Sequence, residues 1–347
     1  KINNSYELGQ SNAPTDGGDM LKTRGDGTLV WEGVADTTFV PYSFQGSNSG
    51  FYAGGYGSSP QVHQTMVDKI SLSSSSTVSG HGDITTARSN VAGQSSETDG
   101  FTTAGYVSSW SMSNVIDKFS FSSNTTGTDH GNLTVSRVTV AGCSSSSDGF
   151  TAGGEISNSV NTIDKFSFSS SSGASDHGDL SQALRGCSGS SSVDYGFAAG
   201  GRNTSARVGD IDRFAYSSNT TATDWADLTV VRMHTAGHSS SDYGFASSGE
   251  SSGMHTEIDY FSFASGGAAT DHGDLTQARN QPAGISGITH GITAGGTPGG
   301  GPIYDTIDRW AYSSNTTATD WADLSVVNTS GRSEEHTSEL QSRSDLV

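Results

Sequence analysis

Basic residues are scarce in this 347-residue chain: 17 Lys and Arg stand against 36 Asp and Glu, a formal charge of -19. Such an imbalance repels phosphate backbones and anionic bilayers, which excludes nucleic acid as a partner and argues against membrane insertion. No run approaches the roughly eighteen apolar residues of a spanning helix. Cysteine is almost absent, with Cys143 and Cys187 alone, so no disulfide framework holds the chain. Counted from the next Gly-Phe pair, the two cysteines differ by an odd number of residues and fall on opposite faces of equivalent strands, so both are expected as free thiols. Apolar residues are few as well, 31% against 46 glycines. One deep core is excluded; many thin cores between stacked layers are not.

What the chain has instead is repetition. A Gly-Phe or Gly-Ile pair opens at Gly50, Gly100, Gly149, Gly196, Gly244 and Gly291. Each is followed, with single-residue departures in some copies, by a Gly-Gly cluster, a variable loop, an I-D-K/R/Y-F/W segment, a Ser/Thr turn and a D-H/W-G/A-D-L segment. A period near fifty with this register marks a repeat architecture rather than disorder. In the third cycle the alternation predicts four strands, at 138–144, 149–153, 162–169 and 178–183. The expected fold is all-β: a six-bladed β-propeller of four-stranded antiparallel blades, with a truncated seven-bladed ring as the alternative. Residues 39–45 take the place of the first inner strand, and no strand after Gly331 offers to complete a partner blade.

Three positions recur with structural meaning. The second glycine of each cluster, Gly55, Gly105, Gly154, Gly201, Gly249 and Gly296, is kept in all copies, whereas the first becomes Ala104 and Ser248. Only the second is expected to need a positive φ, and Gly154→Val to damage the blade far more than a change at Gly153. The acids Asp68, Asp117, Asp164, Asp212, Asp259 and Asp308 share a strand face with buried aromatics, which calls for pairing with Arg88, Arg137, Arg232 and Arg279 or with backbone N–H groups. The D-H-G-D phrases spread around a ring rather than converge, so they read as packing and turn capping and not as metal ligands. The sequons at Asn124, Asn219 and Asn315 mark exposed turns.

The Gly-Gly strand end, the I-D-R-F-A-Y strand, Trp225 and Trp321, and the arginines above together resemble the kelch repeat over about residues 37–328, within a propeller expected over 37–331. His81, His130, His177 and His272 replace the tryptophan, and Leu184 and Asn328 the arginine, in the remaining copies. Residues 1–36 lie outside the repeat. Within them the segment at 19–34 predicts a hairpin and resembles a linker of tailed-phage virion and fibre proteins. Residues 332–347 break from the repeat, and 332–342 resemble a translated sequencing adapter, so a non-native tail is expected there.

Catalytic chemistry finds no support: no G-x-S-x-G or H-E-x-x-H occurs, and no residue set calls for a metal or cofactor. Specificity is expected at the unrepeated rim residues Tyr56, His63, Trp110, Met112, Arg202, Arg207, His255 and Tyr304. An inner layer of Phe44, Gln94, Cys143, Ser190, His238 and Ile285 is expected along the channel. Together these predict a non-enzymatic binding module on a virion, as tail fibre or decoration protein, or on a cell surface, attached through its leader and recognising a glycan or protein receptor. Because kelch-type propellers include galactose-oxidase-like enzymes and intracellular adaptors, these are the alternatives.

Overall fold

A computed structural model describes residues 19–23, 29–33, 46–57, 62–75, 78–300 and 302–337; for the strand residues 19–23, 29–33, 46–48 and 332–337 only the backbone is described. The described residues contain no helix, and the chain divides into two compact units, Lys1–Pro41 and Tyr42–Val347. In the first unit Asp19–Thr23 pairs antiparallel with Leu29–Gly33. Arg24-Gly25-Asp26, between these strands, lies outside the described residues.

The second unit is a six-bladed β-propeller. Blades two to six are antiparallel sheets of four strands taken outward from the axis in chain order, as in blade three: Ala141–Ser144, Asp148–Ala152, Val160–Ser167, Ser175–Leu184; in blade four Gly267–Ala268 adds a short parallel fifth strand. Its inner strand starts later than the alternation predicts. Val138 makes only an isolated bridge to Glu155, and Thr139 turns through a φ of 53° before the ladder begins. The inner strands of blades two to six are Ala92–Ser95, Ala141–Ser144, Ser188–Ser191, Ala236–Ser239 and Ala283–Ser286.

Blade one is completed by Arg332–Thr337, with Arg332 opposite Ala53 and Glu335 opposite Gly50. The sheet therefore runs past Gly331, and a closing strand exists where none was expected. Ladder pairing is made by the backbone and needs no repeat side chains. Residues 39–45 and Phe44, expected in this place, lie outside the described residues. Each inner strand packs beside the next in cyclic order, the closing strand lying between Ala283–Ser286 and Ala92–Ser95, so the ring closes on six blades.

Blades adhere through aromatic rings. The Phe of each Gly-Phe pair stacks on the next blade's third-strand segment: Phe101 on Phe168 at 4.8 Å, Phe150 on Tyr216 at 4.6 Å, Phe197 on Phe263 at 4.8 Å. The D-H-G and D-W-A segments make a second seam. At a bulge in the outer strand, His130 Nε2 lies 2.8 Å from the Ser167 carbonyl and His177 Nε2 2.9 Å from that of Ala215, while Trp225 Nε1 donates to Ser262 at 2.9 Å and Trp321 Nε1 to Ser71 at 3.0 Å. Histidine and tryptophan interchange because both put a ring N–H on the neighbouring blade's carbonyl. The adjacent aspartates cap the turn, Asp129 Oδ1 accepting from Gly131 N at 2.8 Å. Asn219 and Asn315, exposed in their turns, donate back to the Asp176 and Asp271 carbonyls.

A third seam is ionic and wholly buried. Arg88 meets Asp117 at 2.6 Å, Arg137 meets Asp164 at 3.2 Å, Arg232 meets Asp259 at 3.1 Å and Arg279 meets Asp308 at 2.8 Å, every side chain at 0% exposure. Each arginine comes from the end of one blade and each aspartate from the third strand of the next. The aspartates also accept from a Ser or Thr of the preceding blade, as Asp164 does from Thr134 Oγ1 at 2.7 Å. Where Leu184 and Asn328 replace arginine, these bonds alone remain: Ser181 N and Oγ reach Asp212 at 2.8 and 2.6 Å, Ser325 N and Oγ reach Asp68 at 3.0 and 2.9 Å. Burial raises the pKa of both carboxyls.

Both positions of the Gly-Gly cluster have positive φ, which corrects the expectation that only the second does. The first lies at 62° to 67°, inside the left-handed well that Ala104 and Ser248 also occupy at 64° and 62°. The second lies at 103° to 111°, beyond that well, where glycine alone is unstrained. A Cβ on Gly154 would also stand 2.6 Å from Val140 Cγ1 and 2.8 Å from the Val138 carbonyl oxygen. Gly154→Ala should cost about 2–4 kcal/mol; Gly153→Ala, whose Cβ would stand 2.6 Å from the Leu184 carbonyl oxygen but at a station that Ala104 fills in blade two, should cost about 1–2 kcal/mol, read as shifts of the urea midpoint.

Candidate functional site

At the end of each blade the chain turns toward the axis at one residue: Asn90, Thr139, Gly186, His234, Gln281 or Ser330. All have φ between 53° and 65°. Their peptide groups bond head to tail around the axis: Asn90 N to Ser330 O 2.7 Å, Thr139 N to Asn90 O 3.1 Å, Gly186 N to Thr139 O 2.8 Å, His234 N to Gly186 O 2.6 Å, Gln281 N to His234 O 3.0 Å and Ser330 N to Gln281 O 2.9 Å. This closed collar of six hydrogen bonds is the floor of a cavity of about 340 Å³.

Below the collar the bore narrows. A space of about 20 Å³, room for one water, sits against Asn90, His234 and Gln281. The inner strands then follow the pattern Ala-Gly-x-Ser (Ser-Gly-x-Ser in blade four). A Cβ on Gly142 would lie 2.1 Å from the Gly93 carbonyl oxygen, and one on Gly189 only 1.9 Å from that of Gly142. Serines link the strands as well, Ser95 N donating to Ser144 Oγ at 3.0 Å and Ser191 N to Ser239 Oγ at 2.9 Å. The cavity is thus a blind socket.

Gln94, Cys143, Ser190, His238 and Ile285, expected along the channel, lie instead between blades. The period of two turns Gly and Ser toward the preceding inner strand and these residues toward the following blade. Cys143 Sγ faces the Ser190 and Phe197 carbonyl oxygens at 3.4 and 3.5 Å, and burial pushes its thiol up to about 12. His238 spans Ile285 O at 3.1 Å and Ser247 Oγ at 3.0 Å, and burial brings its pKa down to about 4. Cys143 and Cys187 are both buried thiols.

The socket has two unlike walls. Blades one and two supply rings: Trp110 packs on Tyr56 at 5.4 Å, His63 at 4.9 Å and Tyr106 at 5.5 Å. Trp110 stays 57% exposed, at a φ of 57° that is uncommon for a bulky residue. His63 is buried, with Nδ1 3.0 Å from Ser89 Oγ, and burial lowers its pKa, which keeps it neutral. Blades three to five supply polar groups. Arg185 Nη1 pairs with Glu155 Oε1 at 2.5 Å, and His234 Nδ1 lies 3.8 Å from Glu250 Oε1, itself held by Arg207 Nη2 at 3.2 Å. Burial first, and then the Glu155 carboxylate, push the Tyr106 phenol above its ordinary value.

Of the eight rim residues expected from sequence, Tyr56 and Trp110 line the socket and His63 backs them. Met112 bridges the Tyr106 backbone, Arg202 bridges Arg185 and Arg207, and Arg207 supports Glu250. His255 is held between Ser251 and Glu257 at 2.6 and 3.0 Å, and Tyr304 lies 5.5 Å from the Arg279 guanidinium. None of these five lines the cavity. Tyr106, Glu155, Arg185 and His234 were missed, although Tyr106 and Glu155 directly follow the second glycine and His234 stands two residues after Arg232. A column of repeat positions whose residue type keeps changing was the available signal. Among the described residues no group of three or more His, Cys, Asp or Glu could hold a metal ion.

Fold and site together define a closed propeller with a blind axial socket, aromatic on one side and polar on the other. No protein-family description matches this chain, and no characterised protein resembles it significantly in sequence.

Proposed function

We propose that the chain is a non-catalytic binding module that holds a glycan or protein receptor in the axial socket, and that it is a kelch-type propeller displayed on a virion or cell surface. One observation carries the reading: the repeated charged groups are consumed in seams between blades, while the unrepeated Trp110, Tyr106 and Tyr56 stand at the socket mouth beside the Glu155–Arg185 pair. Aromatic faces beside paired hydrogen-bonding groups suit a sugar ring or an inserted side chain. The virion-like leader and the acidic, Ser- and Gly-rich composition favour display outside a cell.

The test is a glycan array probed with the intact chain and with Trp110→Ala. Because Trp110 is exposed, the substitution should leave the melting temperature unchanged while weakening binding about thirtyfold, the equivalent of about 2 kcal/mol for a central aromatic contact. Glycan binding unaffected by Trp110→Ala would remove the socket from the reading. Copper-dependent peroxide production would replace it with the oxidase alternative.

A further inference from the structure

The third strand of every blade sets one residue directly opposite the second-strand Phe or Ile: Lys69 opposite Phe51, Lys118 opposite Phe101, Lys165 opposite Phe150, Arg213 opposite Phe197 and Arg309 opposite Ile292. In these five blades the cation lies on an aromatic face. Lys69, Lys118 and Lys165 stand 5.7, 5.8 and 5.7 Å from the Phe centroids, Arg213 lies 3.6 Å over Trp225, and Arg309 lies 4.1 Å over Trp321. Blade five breaks the rule: Tyr260 stands opposite Phe245.

Among the described residues no lysine or arginine covers the seam there. Tyr260 makes an edge contact with Tyr243 at 5.3 Å and 78°, another with His272 at 5.5 Å and 73°, and lies 6.1 Å from Phe245. Together with Tyr312 and Asp271 these rings wall a cavity of about 390 Å³ between blades five and six, and Tyr243 is 41% exposed at its edge. Tyr260 stands steeply to Tyr243 and His272 while Phe245 and Tyr312 lie stacked at 19°, so the rings wall the cavity in more than one plane, which suits a rounded cation better than a planar guanidinium. The adjoining carboxylate and a chain charge of -19 both draw cations toward it.

We infer that this box takes a quaternary or methylated ammonium group from a ligand, in the place that a lysine or arginine of the chain itself fills in every other blade. The probe is choline chloride, titrated into the intact chain by calorimetry beside 3,3-dimethylbutan-1-ol, its uncharged isostere. Choline should bind at least about tenfold more tightly than the alcohol, because only the cation gains from the ring faces. Tyr260→Lys supplies the residue found in blades one to three, so it should fold, raise the melting temperature and weaken choline binding about tenfold or more. Tyr243→Ala should weaken binding too, whereas Trp110→Ala, in the axial socket, should leave it unchanged. Equal affinity for the alcohol, no saturable choline binding, or full binding by a folded Tyr260→Lys variant would each overturn the inference.

Discussion

Asp164→Ala should lower the unfolding free energy by about 3–5 kcal/mol, a large share of the about 5–15 kcal/mol typical of a folded domain. Arg137 stays behind at 0% exposure without its carboxylate, and a buried unpaired charge costs more than the pair it leaves. Asp212→Ala, at the same place in the next blade, should cost only about 1–2 kcal/mol. Leu184 stands where the arginine would be, so the substitution strands nothing but the Ser181 N–H and hydroxyl. Asp212→Asn should be close to neutral at pH 7, and its sign with pH follows from the raised pKa. The folded state takes up the proton more readily than the unfolded chain, so the ionised carboxylate costs stability above its folded pKa, and the cost disappears as pH falls through that value toward the unfolded one. Urea titrations of all three variants at pH 7, and of Asp212→Asn against the parent down to pH 5, give the measurement. Equal losses for Asp164→Ala and Asp212→Ala would show that the arginine contributes nothing to the seam.

The contrast between Asp164 and Asp212 also shows where sequence was informative. The repeating side chains were the legible part, because a position filled six times by Asp, or by a ring with an N–H, declares a geometry that each blade must satisfy. The fold class and the third-strand acids follow from such columns. The socket did not, for a physical reason: it lies on the axis, where residues about forty-eight apart converge, and its walls are the positions at which the copies differ. Rim residues such as His255, which opens a strand, and Tyr304 looked equally free in sequence, yet they are held by Glu257 and by the Arg279 guanidinium. The inner layer failed because neither face of an inner strand looks down the axis: one packs on the preceding strand and the other on the following blade. Glycine stands where neighbouring strands crowd together, and that crowding is a property of the closed ring, absent from any one repeat.

The same crowding makes the closing strand the place where a substitution should help most. Register sets Arg332, Ser333, Glu334 and Glu335 opposite Ala53, Tyr52, Phe51 and Gly50, the stations that Ala92, Gly93, Gln94 and Ser95 hold in blade two. Five strands carry Ala or Ser, Gly, a variable residue and Ser at these stations; the sixth carries Arg-Ser-Glu-Glu. At the glycine station a Cβ elsewhere in the ring would lie 1.9 to 2.3 Å from a neighbouring carbonyl oxygen, far inside contact distance. At the serine station a hydroxyl accepts the neighbouring strand's N–H at 2.8 to 3.0 Å. Relieving overpacking contributes about 1–3 kcal/mol and each restored hydrogen bond about 1 kcal/mol. The triple variant Arg332→Ala, Ser333→Gly, Glu335→Ser should therefore gain about 3 kcal/mol and melt about 6–12 °C higher in calorimetry. The single change Ser333→Gly should supply the largest part, since its station is the one at which a Cβ meets a neighbouring carbonyl in the other strands. A triple variant melting at or below the parent would show that the sixth strand does not share the geometry of the other five, and that the ring is held by the Arg–Asp seams and stacked rings without it.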